Sequence, residues 1–369
     1  MTQFKYALRQ ASFIGAALLL LFAIACCSTN QPKKKKVKKS ALAKKEFYIV
    51  NPTPSQVYKL NEEVNLRVHH KDNLLPDSII LYRNNSIVEI QKDKKQNYRF
   101  KAESKLVGSQ NYKVNVFYSD SLKETHTFKI FLLPTEEPKN ISFETVRKFD
   151  HDPEAYTQGL LYQNGYIYES TGRKKQSSIR RIDVKTGEVV RKKALDPEFF
   201  GEGIAVVGKE VYMITYISQV GFVFDAVTFD LIRKFDLQTR EGWGLTTYNN
   251  ELILSDGTPN LFFFDPQYFN LKKQIEICDN KGLVSKLNEL EYTKYGLFAN
   301  VYGAKHIVLI DVETGTVIGE LNLASLFPEN IPDDFEHVLN GIAYNPDSDT
   351  FYVTGKQWPV IYEIKLSID

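Results

Sequence analysis

Between Ile141 and the C-terminus, short apolar runs recur in groups, and each group opens on one polar or aromatic residue just ahead of a strand-like stretch. The openings read TQGLLY, GEGIAV, GWGLTT, NELEYT and NGIAYN, so Gln158, Glu202, Trp243, Asn288 and Asn340 fall in register at intervals of 44, 41, 45 and 52. Later runs keep the same phase, with FVFDAVTFD around Asp225, FFFDPQYF around Asp265 and IVLIDVETG around Asp311. Several β-runs per unit at this period predict an all-β chain whose second part, residues 141–369, is a five-bladed β-propeller. One unit cannot bury its own apolar faces, so neighbouring sheets must pack around an axis. The innermost strands face that axis, and the five in-register residues are expected to converge there. The segment ISFETVRKF at 141–149 resembles the outer runs VVRKKAL and LIRKFDL, so it should complete the last blade beside VIYEIKL. Such a latch removes an open sheet edge.

Residues 46–134 have a different rhythm. Alternating apolar positions at Val64-Leu66-Val68, Ile79-Leu81, Ile87-Ile90, Tyr98-Phe100, Tyr112-Val114-Val116 and Phe128-Ile130-Leu132 are separated by turn-rich links such as LLPDS and RNNS. Some seven strands in this span predict a small immunoglobulin-like β-sandwich, joined to the propeller by TEEPKN at 135–140. No site chemistry is evident in it: His69 and His70 are adjacent and point to opposite faces of a strand.

Ahead of these lies a third kind of pattern. Lys5 and Arg9 precede an apolar run from Phe13 to Ala25, too short to span a bilayer as a helix but ordered like a secretory signal over residues 1–25. Ala23-Ile24-Ala25 before Cys26 resembles a bacterial lipoprotein box, which makes Cys26 the expected lipidation site. Residues 26–45, with Lys33 to Lys36, Lys38, Lys39, Lys44 and Lys45, read as a basic tether, either lying against anionic headgroups or serving as a solvated spacer. The expected location is extracytoplasmic, anchored to a membrane as a lipoprotein. The net charge of +2 conceals an asymmetry: residues 1–45 hold ten Lys and Arg and no acid, so the rest carries 37 basic against 45 acidic residues, a net of −8. That balance speaks against nucleic-acid binding. Cys278 alternates with Ile275 and Ile277 and reads as a small buried hydrophobe.

Among the in-register residues Glu202 is the single carboxylate. An acid enclosed by neutral and aromatic groups loses solvation, which raises its pKa and suits it to move protons near neutrality. The second strands end at the same face with Ser170, Tyr216, Ser255, Asp256, Tyr302 and Lys356. Tyrosines supply a wall there, and the lysine a cation for a carbonyl oxygen gaining charge. DVKTG at Asp183 and DVETG at Asp311 read as Asp-capped hairpin turns. His151, His306 and His337 lack metal spacing, and no GxSxG elbow or phosphate loop occurs.

The stretches YTQGLLY, YESTG, FFGEGIA, GWGLT, LILSDGT, LNELEY, ANVYG, LNGIAYNPDSDTFYVTGKQWP and IYEIKL, in order through 150–366, resemble the plant and bacterial glutaminyl-peptide cyclotransferases. The resemblance covers the propeller and none of the sandwich. It implies conversion of a peptide's N-terminal glutamine to pyroglutamate with release of ammonia, without metal or other cofactor. It implies Glu202 as the catalytic acid/base, and Gln158, Phe200, Trp243, Asn288 and Lys356 as substrate-binding residues. Tyr216 and Tyr302 stand where the family carries tryptophan; a phenol keeps the wall and adds a hydroxyl, which bears on substrate preference or rate. The implied partner is a peptide or protein bearing N-terminal glutamine, acted on by a monomer. Two other classes fit a propeller: a metal-dependent hydrolase of the sugar-lactonase kind, and a non-catalytic binding module. One inner carboxylate beside a lysine is a poor balance for a divalent cation.

Overall fold

The computed structural model describes residues 45–118 and 122–368; the leader, Cys26 and most of the basic tether lie outside them. Apart from one short 3-10 turn at Ala324–Leu326, the regular elements among these residues are all β-strands.

The first eight strands form two sheets. One has the order β1 (Phe47–Asn51), β3 (Glu63–His70), β6 (Asn97–Lys101). The other runs β2 (Gln56–Lys59), β8 (Leu122–Leu133), β7 (Gly108–Tyr118), β4 (Ser78–Arg83), β5 (Ser86–Gln91). The strict alternation of β3 sends Val64, Leu66 and Val68 inward, where they meet Ile79, Leu81, Tyr112, Val114 and Ile130 in one core. The expected strands are present. β1 and β2 are additional, because FYIVN and QVYK are short and flanked by Pro52 and Pro54, which mask their alternation.

The linker is shorter than TEEPKN suggested, since β9 (Lys139–Asp150) already starts at Lys139. Three four-stranded sheets follow, each antiparallel and in chain order: β10 (Thr157–Gln163) to β13 (Val189–Ala194), β14 (Gly201–Val207) to β17 (Leu231–Asp236), and β18 (Leu245–Tyr248) to β21 (Leu271–Glu276). The remainder is an eight-stranded sheet: β22 (Leu287–Thr293), β23 (Gly296–Val301), β24 (His306–Asp311), β25 (Thr316–Asn322), β9, β28 (Val360–Ser367), β27 (Thr350–Gly355), β26 (Leu339–Asn345). The expected latch is present, with β9 antiparallel to β28 from Asp150↔Val360 to Ser142↔Ser367. Its start also pairs in parallel with β25, at Lys139↔Gly319, which fuses two groups of four into one sheet.

The first strands β10, β14, β18, β22 and β26 neighbour one another in that order, and β26 returns to β10. They and the second strands are buried, whereas the outer strands β13 and β17 are largely exposed. Apolar layers fill the spaces between sheets, for example Leu161, Tyr168 and Ile179 against Ile204, Val211 and Phe222. Close approach of the first strands depends on glycine: a Cβ on Gly244 would lie 2.0 Å from the Asn288 carbonyl oxygen. The hairpin aspartates behave as the sequence suggests, Asp183 Oδ1 accepting Lys185 N–H and Asp311 Oδ1 accepting Glu313 N–H. Cys278 is fully buried with Val107 and Leu133 where the N-terminal strands meet the later sheets, and burial pushes its thiol up to about 12.

Candidate active site

Strand register decides which side chains meet at one end of the ring. Gln158, Glu202 and Asn288 are each the second residue of a first strand. Trp243 lies just before β18, but its N–H donates to Ser255 O at 2.9 Å and so continues the pairing. Tyr216, Tyr302 and Lys356 each follow directly on a second strand, and Phe200 directly precedes β14. All eight line one cavity of about 210 Å³, together with Tyr156, which sequence reasoning quoted in YTQGLLY without giving it a role.

The polar members form the floor: Gln158, Glu202, Asn288 and Lys356 are each at most 5% exposed, whereas Phe200, Tyr216, Trp243 and Tyr302 are half-buried. Hydroxyls fix the backbone beneath, with Ser170 Oγ donating to Glu202 O at 2.5 Å and Ser255 Oγ to Asn288 O at 2.6 Å. Glycines make room for rings, since a Cβ on Gly172 would strike Phe200 and one on Gly257 would strike Trp243. The rings then pack edge to face, Tyr156 on Phe200 at 6.1 Å and Trp243 on Tyr302 at 5.7 Å.

Asn340 does not line the cavity. It is fully buried behind Gln158, its Nδ2 donating to Thr157 O at 3.0 Å and Gln158 Oε1 at 3.2 Å. Gln158 Nε2 in turn donates to Glu202 Oε1 at 3.0 Å. This relay fixes the amide orientation of Gln158 and leaves Glu202 Oε2 for a ligand. Burial raises the Glu202 carboxyl well above the usual range, against the pull of the Lys356 charge and with a further push from Glu241. Burial likewise lowers Lys356 to about 8, although Glu202 and Glu336 oppose the change. The ammonium lies 4.8 Å from the Tyr156 ring centroid and 5.1 Å from that of Tyr302. Asn288 Oδ1 is buried with no hydrogen-bond partner, a polar atom that a bound donor would satisfy.

Four further acids were not singled out by the sequence reading. Glu241, in the loop before Trp243, accepts the indole Nε1–H at 3.0 Å and meets the Tyr216 hydroxyl, so it sets two rings of the wall. Glu289, next to Asn288 on β22, is a further first-strand carboxyl, outside the five in-register positions and outside the cavity. Its oxygens accept Leu160 N–H at 3.2 Å and Ile342 N–H at 2.8 Å, tying β22 to β10 and β26. The signal was available: the residue after the in-register position is glycine in four units (Gly159, Gly203, Gly244 and Gly341) and glutamate in the unit that opens at Asn288. Behind Thr157, the buried Glu169 accepts from His151 Nε2 at 3.0 Å while His151 Nδ1 donates to Trp358 O. Burial opposes charge on both, but their mutual attraction outweighs it, holding Glu169 low and His151 high.

The fourth acid, Glu291, accepts Tyr344 N–H at 2.9 Å, and burial raises it to about 8 despite that bond. A carboxyl whose folded pKa is raised contributes stability that is full below its unfolded value, 4.5, and is lost as pH rises through about 8. Glu291→Gln keeps an acceptor and does not titrate. The melting temperature of this variant minus that of the wild type should therefore grow from pH 4.5 to about 8. A flat difference over that range would show that Glu291 does not titrate with unfolding.

Among the described residues no three His, Cys, Asp or Glu side chains gather as a metal-binding group. A family model described as glutamine cyclotransferase matches residues 116–366, so the match reaches back into β7 and β8, beyond the extent suggested by motifs. The glutaminyl-peptide cyclotransferase of Arabidopsis thaliana is 37% identical over 226 residues, 60% of this chain and 71% of that protein. The crystal structure of Myxococcus xanthus glutaminyl cyclase aligns with a TM-score of 0.59 at 31% identity, over 63% of this chain and the whole of that one.

Proposed function

Because the chain belongs to the glutamine cyclotransferase family, we propose that this cavity closes an N-terminal glutamine to pyroglutamate, with Glu202 carrying the proton between the two nitrogens. The observation that carries the assignment is a buried carboxyl of raised proton affinity, one oxygen held by Gln158, inside an aromatic-walled cavity. The uncharged α-amine attacks the side-chain amide carbon, forming the ring C–N bond and a tetrahedral oxyanion. The Glu202 carboxylate takes the proton released by the attacking nitrogen and gives it to the amide nitrogen. The old C–N bond then breaks and ammonia leaves. Lys356 faces the oxyanion, and the free Asn288 Oδ1 accepts from the substrate nitrogen. The rings of Trp243, Tyr216, Tyr302, Phe200 and Tyr156 fold the glutamine so that amine and amide meet, which reduces the entropic part of the barrier. Ammonia release from a glutamine-initiated peptide, with a matching loss of mass from the peptide, tests the assignment. A peptide left unchanged by the folded protein defeats it.

The closed order of first strands supports a five-bladed propeller whose last blade takes β9 as its outer strand, and the two facing N-terminal sheets support an immunoglobulin-like sandwich. The leader and Cys26 support a lipoprotein facing outward from a membrane, acting on exported peptides. Metabolic labelling with radioactive palmitate should mark the wild type and not Cys26→Ala; equal labelling of both would exclude this anchor.

A further inference from the structure

The in-register spacing is longest between the fourth and fifth openings, 52 residues from Asn288 to Asn340 against 41 to 45 elsewhere. The additional length lies between β25 and β26, in a connection that must arrive where the first strands begin, at the cavity end. Its later part is tied down along its length. Asp333 pairs with Lys305 at 2.5 Å, Asp334 with His337 at 2.7 Å and Glu336 with Arg173 at 2.7 Å, and Tyr302 Oη donates to Phe335 O at 3.1 Å.

Two of those ties lead to opposite sides of the cavity. Phe335 stacks on Tyr302, a wall residue, with ring centroids 6.3 Å apart. Arg173, held by Glu336, lies over the ring of Tyr156, another wall residue, at 4.3 Å. The Glu336 charge bears on Tyr156, Tyr302 and Lys356 alike. Residues 335 and 336 thus bridge the mouth from Tyr302 to Tyr156. Yet the Phe335 side chain is 66% exposed, an aromatic ring presented to solvent by a pinned backbone.

From this geometry we infer that Phe335 is the platform of a subsite for the residue that follows the N-terminal glutamine, and that the subsite favours a large apolar side chain there. The inference rests on the cyclisation assignment. The cavity of about 210 Å³ has room for little more than a glutamine, so the peptide beyond its first residue must leave across the mouth. The first surface it meets beside Tyr302 is the open face of Phe335.

The test compares kcat/KM for two peptides of equal length, one beginning Gln-Phe and one Gln-Gly. The wild type should prefer Gln-Phe, and Phe335→Ala should reduce the ratio about two- to tenfold, the worth of one aromatic contact. An unchanged ratio overturns the proposal, including the case in which both peptides lose equally, because a purely structural role for Phe335 moves both together. Calorimetric titration of the two peptides into Glu202→Gln, with and without Phe335→Ala, repeats the comparison without turnover. A Gln-Phe preference that vanishes with Phe335 upholds the subsite even if the wild type releases no ammonia, a result that would remove the catalytic assignment instead. Equal affinities for the two peptides overturn the subsite.

Discussion

Glu202→Gln should give a folded protein that releases ammonia about 10²- to 10⁴-fold more slowly than the wild type, the usual worth of a positioned proton carrier. The amide has the size of the carboxyl and keeps an oxygen to accept Gln158 Nε2–H, so the relay from Asn340 through Gln158 survives. What it loses is the ability to take a proton from one nitrogen and return it to another. No other carboxyl lines the cavity, and Glu241 is engaged by Trp243 at the wall. The effect should fall on kcat with little change in KM, because the carboxyl acts in the transition state. The melting temperature should hold or rise, since a neutral amide replaces a group whose ionised form is penalised by burial. Turnover within tenfold of the wild type, with folding intact, would remove Glu202 from the mechanism.

Lys356→Met carries the second large effect. The unbranched thioether fills the buried lysine's space but offers neither charge nor N–H, and loss of one oxyanion donor costs about 10²- to 10³-fold in kcat. The pH profile should move as well, in a direction fixed by the pair. Lys356 lowers the proton affinity of Glu202, so removing it lets Glu202 keep its proton to higher pH. The reaction needs the carboxylate and the free amine, whose ordinary pKa is about 8, so activity rises with pH. The acid limb of kcat/KM should therefore shift upward in the variant, and Lys356→Arg should restore its position more than its rate. A profile that falls in magnitude without shifting would mean that Lys356 does not sense Glu202.

Much of the site was readable because each unit contributes one residue at one strand position. Repetition turns sequence spacing into spatial convergence, so Gln158, Glu202, Trp243 and Asn288 could be grouped before any distance was known. The latch was readable for a similar reason: FETVRKF repeats the polar and apolar order of the outer strands. The same logic misplaced Asn340. Register says which ring position a residue holds, but a neighbouring Gln158 long enough to cover it decides whether it reaches the cavity. Glu289 stood out as the glutamate where four units carry glycine, but its role did not, because its partners are backbone N–H groups of β10 and β26, which leave no mark in sequence. Glu241 and Phe335 sit on loops, where neither period two nor the repeat applies, and only the folded connections bring them to the rings they touch.

The pairing of β9 with β28 also constrains how the protein is made. During synthesis the first three four-stranded sheets can form as soon as they leave the ribosome, but β9 must wait, one flank open, for residues 360–367. Sealing the ring is thus a late and non-local event, of the kind that slows folding. Until then β9 and β27 expose strand edges that another nascent chain can join. A shortened chain starting at 151 would lack β9, and with it the strand that joins β25 to β28 in the eight-stranded sheet.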